Sequence, residues 1–145
     1  MIENTQIDLL KEVFVKRGVV LAYLFGSQAE GRVTPLSDVD LAVLLPHNLA
    51  AYDKFRVQAD LIGDCGQVLK RNDVDVVVLN DASPLLAFRV VKHGRVLYED
   101  PVTHPAVKFA AQTLSRYADT AWFRGVQHRY LIKRIHRHKA GALKG

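Results

Sequence analysis

A single cysteine, Cys65, stands in a chain of 145 residues. No disulfide framework can form, and a reducing, cytoplasmic setting is expected. No uninterrupted apolar run approaches the roughly 20 residues that a bilayer-crossing helix needs, so no membrane partner is expected. Glycine and proline number nine and five, and neither gathers with serine into a linker. No internal repeat is visible. The opening stretch, MIENTQIDLLKEVF, carries acids and lacks the pattern of a cleavable signal. Acid is scarce at the other end: residues 101–145 hold nine Lys+Arg and one Asp+Glu, a net of +8, against −3 for residues 1–100. A basic end on an acidic body is expected either to meet an anionic partner or to serve as a solvated helix.

Hydrophobic residues make up 49% of the chain and charged residues 24%, which are globular values and exclude disorder. The length fits one domain. Thr5 is placed to cap a first helix whose face carries Ile7, Leu10, Val13 and Phe14, and Gly18 to end it in a left-handed turn. The run from Val19 to Phe25 reads as a buried strand. A polar loop follows from Gly26 to Ser37, and Asp38 to Leu45 reads as a second strand. A helix is expected from Asn48 to about Leu69, with Phe55, Ala59, Leu61, Ile62 and Val68 as its apolar contacts and Gly63 and Gly66 bending it. Val74 to Leu79 is a third strand. Ser83-Pro84 opens a helix running to Gly94, and Arg95 to Tyr98 forms a fourth strand. From Pro105 onward Val107, Ala110, Ala111, Leu114, Tyr117 and Ala118 repeat at helical spacing, and Trp122, Val126, Tyr130, Leu131 and Ile135 prolong the pattern. The order α-β-β-α-β-α-β-α implies an α+β or α/β domain around a small mixed sheet.

The chemistry concentrates between Leu24 and Leu41. Asp38 and Asp40 lie two apart on a strand, so both carboxylates project from one face. Adjacent like charges repel unless a cation sits between them, and hard carboxylate oxygens suit Mg²⁺ or Mn²⁺. Gly26-Ser27, at the end of the preceding strand, offers backbone amides and a hydroxyl to a phosphate. Arg32 in the loop is a further phosphate partner. Anion-binding amides beside a divalent cation make a polyphosphate site. A third acid is expected at the start of the next strand, where Asp73 and Asp75 share a face by period and periodicity does not choose between them. Cys65 reads as a small core residue, and His136-Arg137-His138 lacks the acids or cysteines of a metal site.

The Gly26-Ser27 pair, ten residues, then Asp38-x-Asp40 resembles the nucleotidyltransferase superfamily of DNA polymerase β and the aminoglycoside nucleotidyltransferases. Asp75-Val76-Val77-Val78-Leu79-Asn80, Pro84-Leu85-Leu86 and Gly94-Arg95-Val96-Leu97-Tyr98 resemble the minimal nucleotidyltransferases, above all the MntA-type antitoxins paired with HEPN-domain toxins. The resemblance runs from about Val13 to Tyr130 and implies a polymerase β-like fold. It implies that Asp38, Asp40 and Asp75 hold Mg²⁺ and that Gly26 and Ser27 hold the triphosphate of ATP. It further implies a protein acceptor, a tyrosine of the cognate HEPN ribonuclease silenced by AMP. Residues 1–100 would then form the minimal nucleotidyltransferase domain. Residues 101–145 would form a basic helical extension on it, with its second half, about Trp122 to His138, docking the toxin. Binding of nucleic acid by that basic segment is the competing expectation. The alternative functions are a non-enzymatic antitoxin that neutralises by covering, and a small-molecule (aminoglycoside-type) nucleotidyltransferase.

Overall fold

A computed structural model describes residues 2–26, 38–121 and 125. The elements are α1 (Asn4–Lys16), β1 (Leu21–Phe25), β2 (Val39–Leu44), α2 (Ala51–Leu69), β3 (Val74–Val78), α3 (Pro84–His93), β4 (Arg95–Glu99) and α4 (Pro105–Asp119), with a 3-10 turn at Leu79–Asp81. This is the order the hydrophobic pattern predicts. The strands form one mixed sheet in the order β3-β2-β1-β4. β1 runs antiparallel to both β2 and β4, and β2 runs parallel to β3. A parallel neighbour needs a crossover, and α2 supplies it.

Each face of the sheet buries a different set of residues. On one face Ile7, Leu10 and Phe14 of α1 and Leu61, Cys65 and Leu69 of α2 cover Leu24, Leu41, Val43 and Val76. On the other, Leu21, Tyr23 and Ala42 meet Val90 of α3 and Phe109 of α4. Alternation along the strands makes this split, since successive side chains point to opposite faces. The α3–α4 pair is closed by Phe88 stacked on Tyr117, with centroids 3.8 Å apart. Burial pushes the Cys65 thiol up to about 12, as befits an inert core sulfur. Among the described residues no helix is long and apolar enough to cross a membrane.

Polar side chains tie the frame at specific points. Arg17 on α1 bonds Asp64 of α2 at 2.7 Å and Asp60 at 3.3 Å. Gln58 of α2 donates to the carbonyl of Val76 on the outermost strand β3 at 2.7 Å. The Asn80 amide grips both backbone groups of Leu45, accepting from its N–H at 2.9 Å and donating to its carbonyl at 2.8 Å. That clamp fixes the far ends of β2 and β3 together.

Four local expectations change. The first helix is capped at Glu3 and not at Thr5, because Gln6 accepts the Glu3 N–H at 3.0 Å and the helix has already begun at Asn4. α2 begins at Ala51, after a turn through Pro46 to Asn48, and runs unbroken through Gly63 and Gly66. Phe55, Ala59 and Ile62 are not core contacts. With Tyr52 they form an outward stripe, and Tyr52 and Phe55 are 69% and 66% exposed. Leu61, Cys65 and Leu69, on the opposite side of the helix, supply the buried contacts. α4 likewise carries two apolar faces where one was expected. Ala106, Phe109, Thr113 and Tyr117 turn inward or partly inward, while Val107, Ala111, Leu114 and Ala118 lie exposed. Gly94 ends α3 at φ −78°, an ordinary conformation, and its smallness serves close approach: a Cβ there would collide with the Val90 carbonyl. Gly18 is left-handed at φ +75°, as expected.

Candidate active site

The site lies at the sheet end where β1 finishes and β2 and β3 begin. Register places Phe25 opposite Asp40 and Asp40 opposite Asp75. Cross-strand partners share a face, so the two carboxylates stand side by side. Their face is that of Ala42 and Val77, one step further along the same strands, and therefore the face on which α3 and α4 pack. Asp38 is exposed, one residue before β2, and shares the face by period.

The acids perturb one another. Burial raises the Asp40 carboxyl above the usual carboxylate value, and the charges of Asp75 and then Asp38 raise it further. Like charges brought together without a counter-ion resist ionisation, and a cation would relieve them. Asp75 is exposed, and its Oδ1 accepts the N–H of Val76 at 2.9 Å, leaving its other oxygen outside that bond.

Asp73 is placed differently. Its two oxygens accept from Arg71 Nε at 2.7 Å and Nη2 at 2.6 Å, a bidentate pair. The hydrogen bonds from Arg71 hold its carboxyl below the usual range. Its backbone carbonyl accepts from the Val39 N–H at 3.1 Å, joining the starts of β2 and β3. Strand period alone does not separate Asp73 from Asp75. The Arg71 partnership does, and the adjacent Arg71 was the signal in the sequence. Arg71 also feels the charge of Asp38.

Gly26 closes β1 at φ +76°, and a Cβ there would stand 2.6 Å from Asp40 Oδ2. Both the backbone conformation and the space require glycine. The chain can therefore leave β1 at Gly26 directly against the Asp40 carboxylate. Ser27 and Arg32 lie outside the described residues, as do Trp122 and the segment expected to dock a partner.

Among the described residues, no three Asp, Glu, His or Cys side chains are arranged as a ready metal cage. The donor set nonetheless suits Mg²⁺, which takes one or two carboxylates and completes its shell with water and substrate phosphates. The mutual repulsion recorded at Asp40 is the observation that fits such an ion. A row of hard acids with a glycine packed against it is suited to metal-assisted phosphoryl or nucleotidyl chemistry.

The sequence model of the polymerase beta, nucleotidyltransferase family matches residues 8–101. The chain belongs to this family. The matched span runs from within α1 to just past β4 and so contains the whole sheet and all three acids. A protein adenylyltransferase MntA of Aphanizomenon flos-aquae is 39% identical over 83 residues, 54% of this chain and 55% of that protein. The chain thus aligns with about half the length of that relative. A protein adenylyltransferase MntA of Shewanella oneidensis is 33% identical over 115 residues, 79% of this chain and 76% of that protein. Among solved structures, a chain of a toxin-antitoxin crystallised with AMP-PNP superposes with a TM-score of 0.70 and 26% identity, covering 87% of this chain and 98% of its own.

Proposed function

We propose that this nucleotidyltransferase is the antitoxin of a toxin–antitoxin pair. It transfers AMP from ATP to a tyrosine of its HEPN ribonuclease partner and so inactivates it. The observation that carries the reading is the row Asp40–Asp75, with Asp38 beside it and Gly26 folded against Asp40. The family, the MntA relatives and the likeness to a toxin-antitoxin holding AMP-PNP support the same direction.

In this reading Asp38, Asp40 and Asp75 hold Mg²⁺, with Mn²⁺ as a substitute, and Gly26, Ser27 and Arg32 hold the triphosphate. When bound there, the metal would supply charge neutralisation to the phosphates and would lower the pKa of the attacking hydroxyl. Asp75, on the edge strand of the row, would receive the proton of the tyrosine hydroxyl. The tyrosine oxygen then bonds to the α-phosphorus, the bond from that phosphorus to the bridging oxygen breaks, and pyrophosphate leaves. The reaction is set in the cytoplasm, in keeping with the single buried thiol.

The test is the intact mass of the purified HEPN partner after incubation with this protein, ATP and Mg²⁺. A gain of AMP on tyrosine, absent without metal, is the expected result. Neutralisation of the ribonuclease with no change in its mass would replace the reading with inhibition by covering. Transfer to an aminoglycoside in place of the protein would make the chain a small-molecule enzyme.

A further inference from the structure

The strand that carries Asp75 is an edge. Among the described residues β3 pairs with β2 on one side and with no strand on the other. The Val39 N–H donates to the Asp73 carbonyl at 3.1 Å, and Asp75 lies opposite Asp40. Backbone groups of successive residues point to opposite edges of a strand. Those of Asp73 and Asp75 therefore turn toward β2, and those of Val76 turn to the open edge.

Val76 is nevertheless only 1% exposed. A backbone group buried without a partner costs about as much as a lost hydrogen bond. Two side chains meet that need. The Val76 N–H donates to Asp75 Oδ1 at 2.9 Å, and Gln58 Nε2 donates to the Val76 carbonyl at 2.7 Å. Gln58 is half-buried on α2, three residues before the buried Leu61. A residue anchored in a packed helix thus holds Val76 by its carbonyl, and Val76 holds the acid by its N–H. The same two contacts seal the edge at this residue against pairing with another strand.

The link bears on the acid because Asp75 is exposed, so packing does not fix its carboxylate. A free carboxylate at a strand edge turns among its rotamers, and ordering it costs entropy. We propose that Gln58 is a positioning residue for Asp75, acting through the backbone of Val76. The inference rests on the functional reading above and deepens it. With Oδ1 taken by Val76, the second oxygen is held in one place for its work in AMP transfer, and a group that is already oriented spends nothing on orientation during the reaction.

The test uses the full chain with Gln58→Met and Gln58→Lys. Both residues match glutamine as helix formers, but methionine cannot donate to the carbonyl and lysine can. Exchange of the Val76 amide with solvent is followed by NMR without metal or nucleotide. It should speed up about tenfold in Gln58→Met, the size of one lost hydrogen bond, and at least as much in Asp75→Ala. The kcat for AMP transfer in Gln58→Met should fall about tenfold, as for an outer partner that orients a working group. The KM for the HEPN protein should stay at the wild-type value. Gln58→Lys should recover most of both losses. Wild-type exchange at Val76 in Gln58→Met or in Asp75→Ala overturns the proposal. So does a Gln58→Met protein that melts lower and keeps its kcat, which would leave Gln58 a structural tie, and so does a Gln58→Lys protein no better than Gln58→Met. A wild type that moves no AMP contradicts the functional reading alone, because amide exchange at Val76 reports the link without turnover.

Discussion

The two ends of the sheet are built on opposite principles. At the end where β1 begins, polar groups are met by partners. Asn80 holds both backbone groups of Leu45, the Val20 N–H reaches the Leu44 carbonyl at 2.9 Å, and the Asp100 N–H reaches the Val20 carbonyl at 2.9 Å. The Asp100 carboxylate accepts the Val102 N–H at 3.0 Å and the Thr103 hydroxyl at 3.0 Å, which holds its carboxyl below the usual value. At the end where β1 finishes, two carboxylates share a row and a third lies beside them, and Asp40 is pushed the other way. Such an arrangement opposes folding and is retained only where a ligand can use it. One end holds the strands in place. The other keeps charge in readiness for a cation.

Substitution at the charged end should therefore remove activity without removing the fold. Asp40→Asn is expected to lower AMP transfer by about a hundredfold or more, the scale of losing a preorganised charge-stabilising group. Its melting temperature in the absence of metal should equal or exceed that of the wild type, because a neutral amide ends the repulsion. A clear fall in melting temperature would show that Asp40 is structural. Gly26→Ala puts a methyl group against Asp40 and strains a left-handed residue by roughly 1–2 kcal/mol. Transfer should drop about tenfold, in line with a small displacement of a catalytic group, and a full-rate variant would contradict the close approach of Gly26 to Asp40.

The satisfied end should respond in the opposite way. Asn80→Ala strands the Leu45 N–H and carbonyl and should cost about 2–3 kcal/mol in chemical denaturation. At a temperature well below unfolding its kcat should match the wild type. A loss of kcat without loss of stability would break the division between the two ends.

The smallest effect is a pair of titrations of opposite sign. By NMR, Asp40 should titrate above the usual 3.8 and Asp100 below it. For Asp40 the folded value is the raised one. Its contribution favours the fold at low pH and is lost as pH rises through that value. For Asp100 the folded value is depressed. Its contribution is present above 3.8 and is lost as pH falls through the depressed value. Added Mg²⁺ should bring Asp40 down and leave Asp100 where it is. Movement of both would show that the metal acts on the whole fold.

Much of this was legible in the amino acids because apolar runs of strand and helix length are separated by glycine and proline at the right places. The element order followed from that, as did the pairing of Asp38 with Asp40. The strand order β3-β2-β1-β4 did not, because period two fixes which face a residue shares and not which strand lies beside it. The choice between Asp73 and Asp75 was hidden for the same reason. Both have the same parity, and the register of Asp75 opposite Asp40 together with the Asp73–Arg71 contact separates them. Periodicity also misplaced Phe55, Ala59 and Ile62. A repeat of three and four marks an apolar side of a helix, but α2 and α4 each have two such sides, and among the described residues only one of each is covered. Glu3 was passed over as a cap because Ser, Thr, Asp and Asn are the usual capping residues.

The claim that the Asp40–Asp75 row carries the reaction is tested most directly by comparing two isosteric changes two residues apart. The measurement is the single-turnover rate of AMP transfer to the HEPN protein by Asp75→Asn and by Asp73→Asn, each at saturating ATP and Mg²⁺. The account predicts that Asp75→Asn falls about a hundredfold or more, through loss of a group that holds metal and accepts a proton. Asp73→Asn should stay within about tenfold of wild type, since it loses only its partnership with Arg71. The reverse ranking would contradict the account.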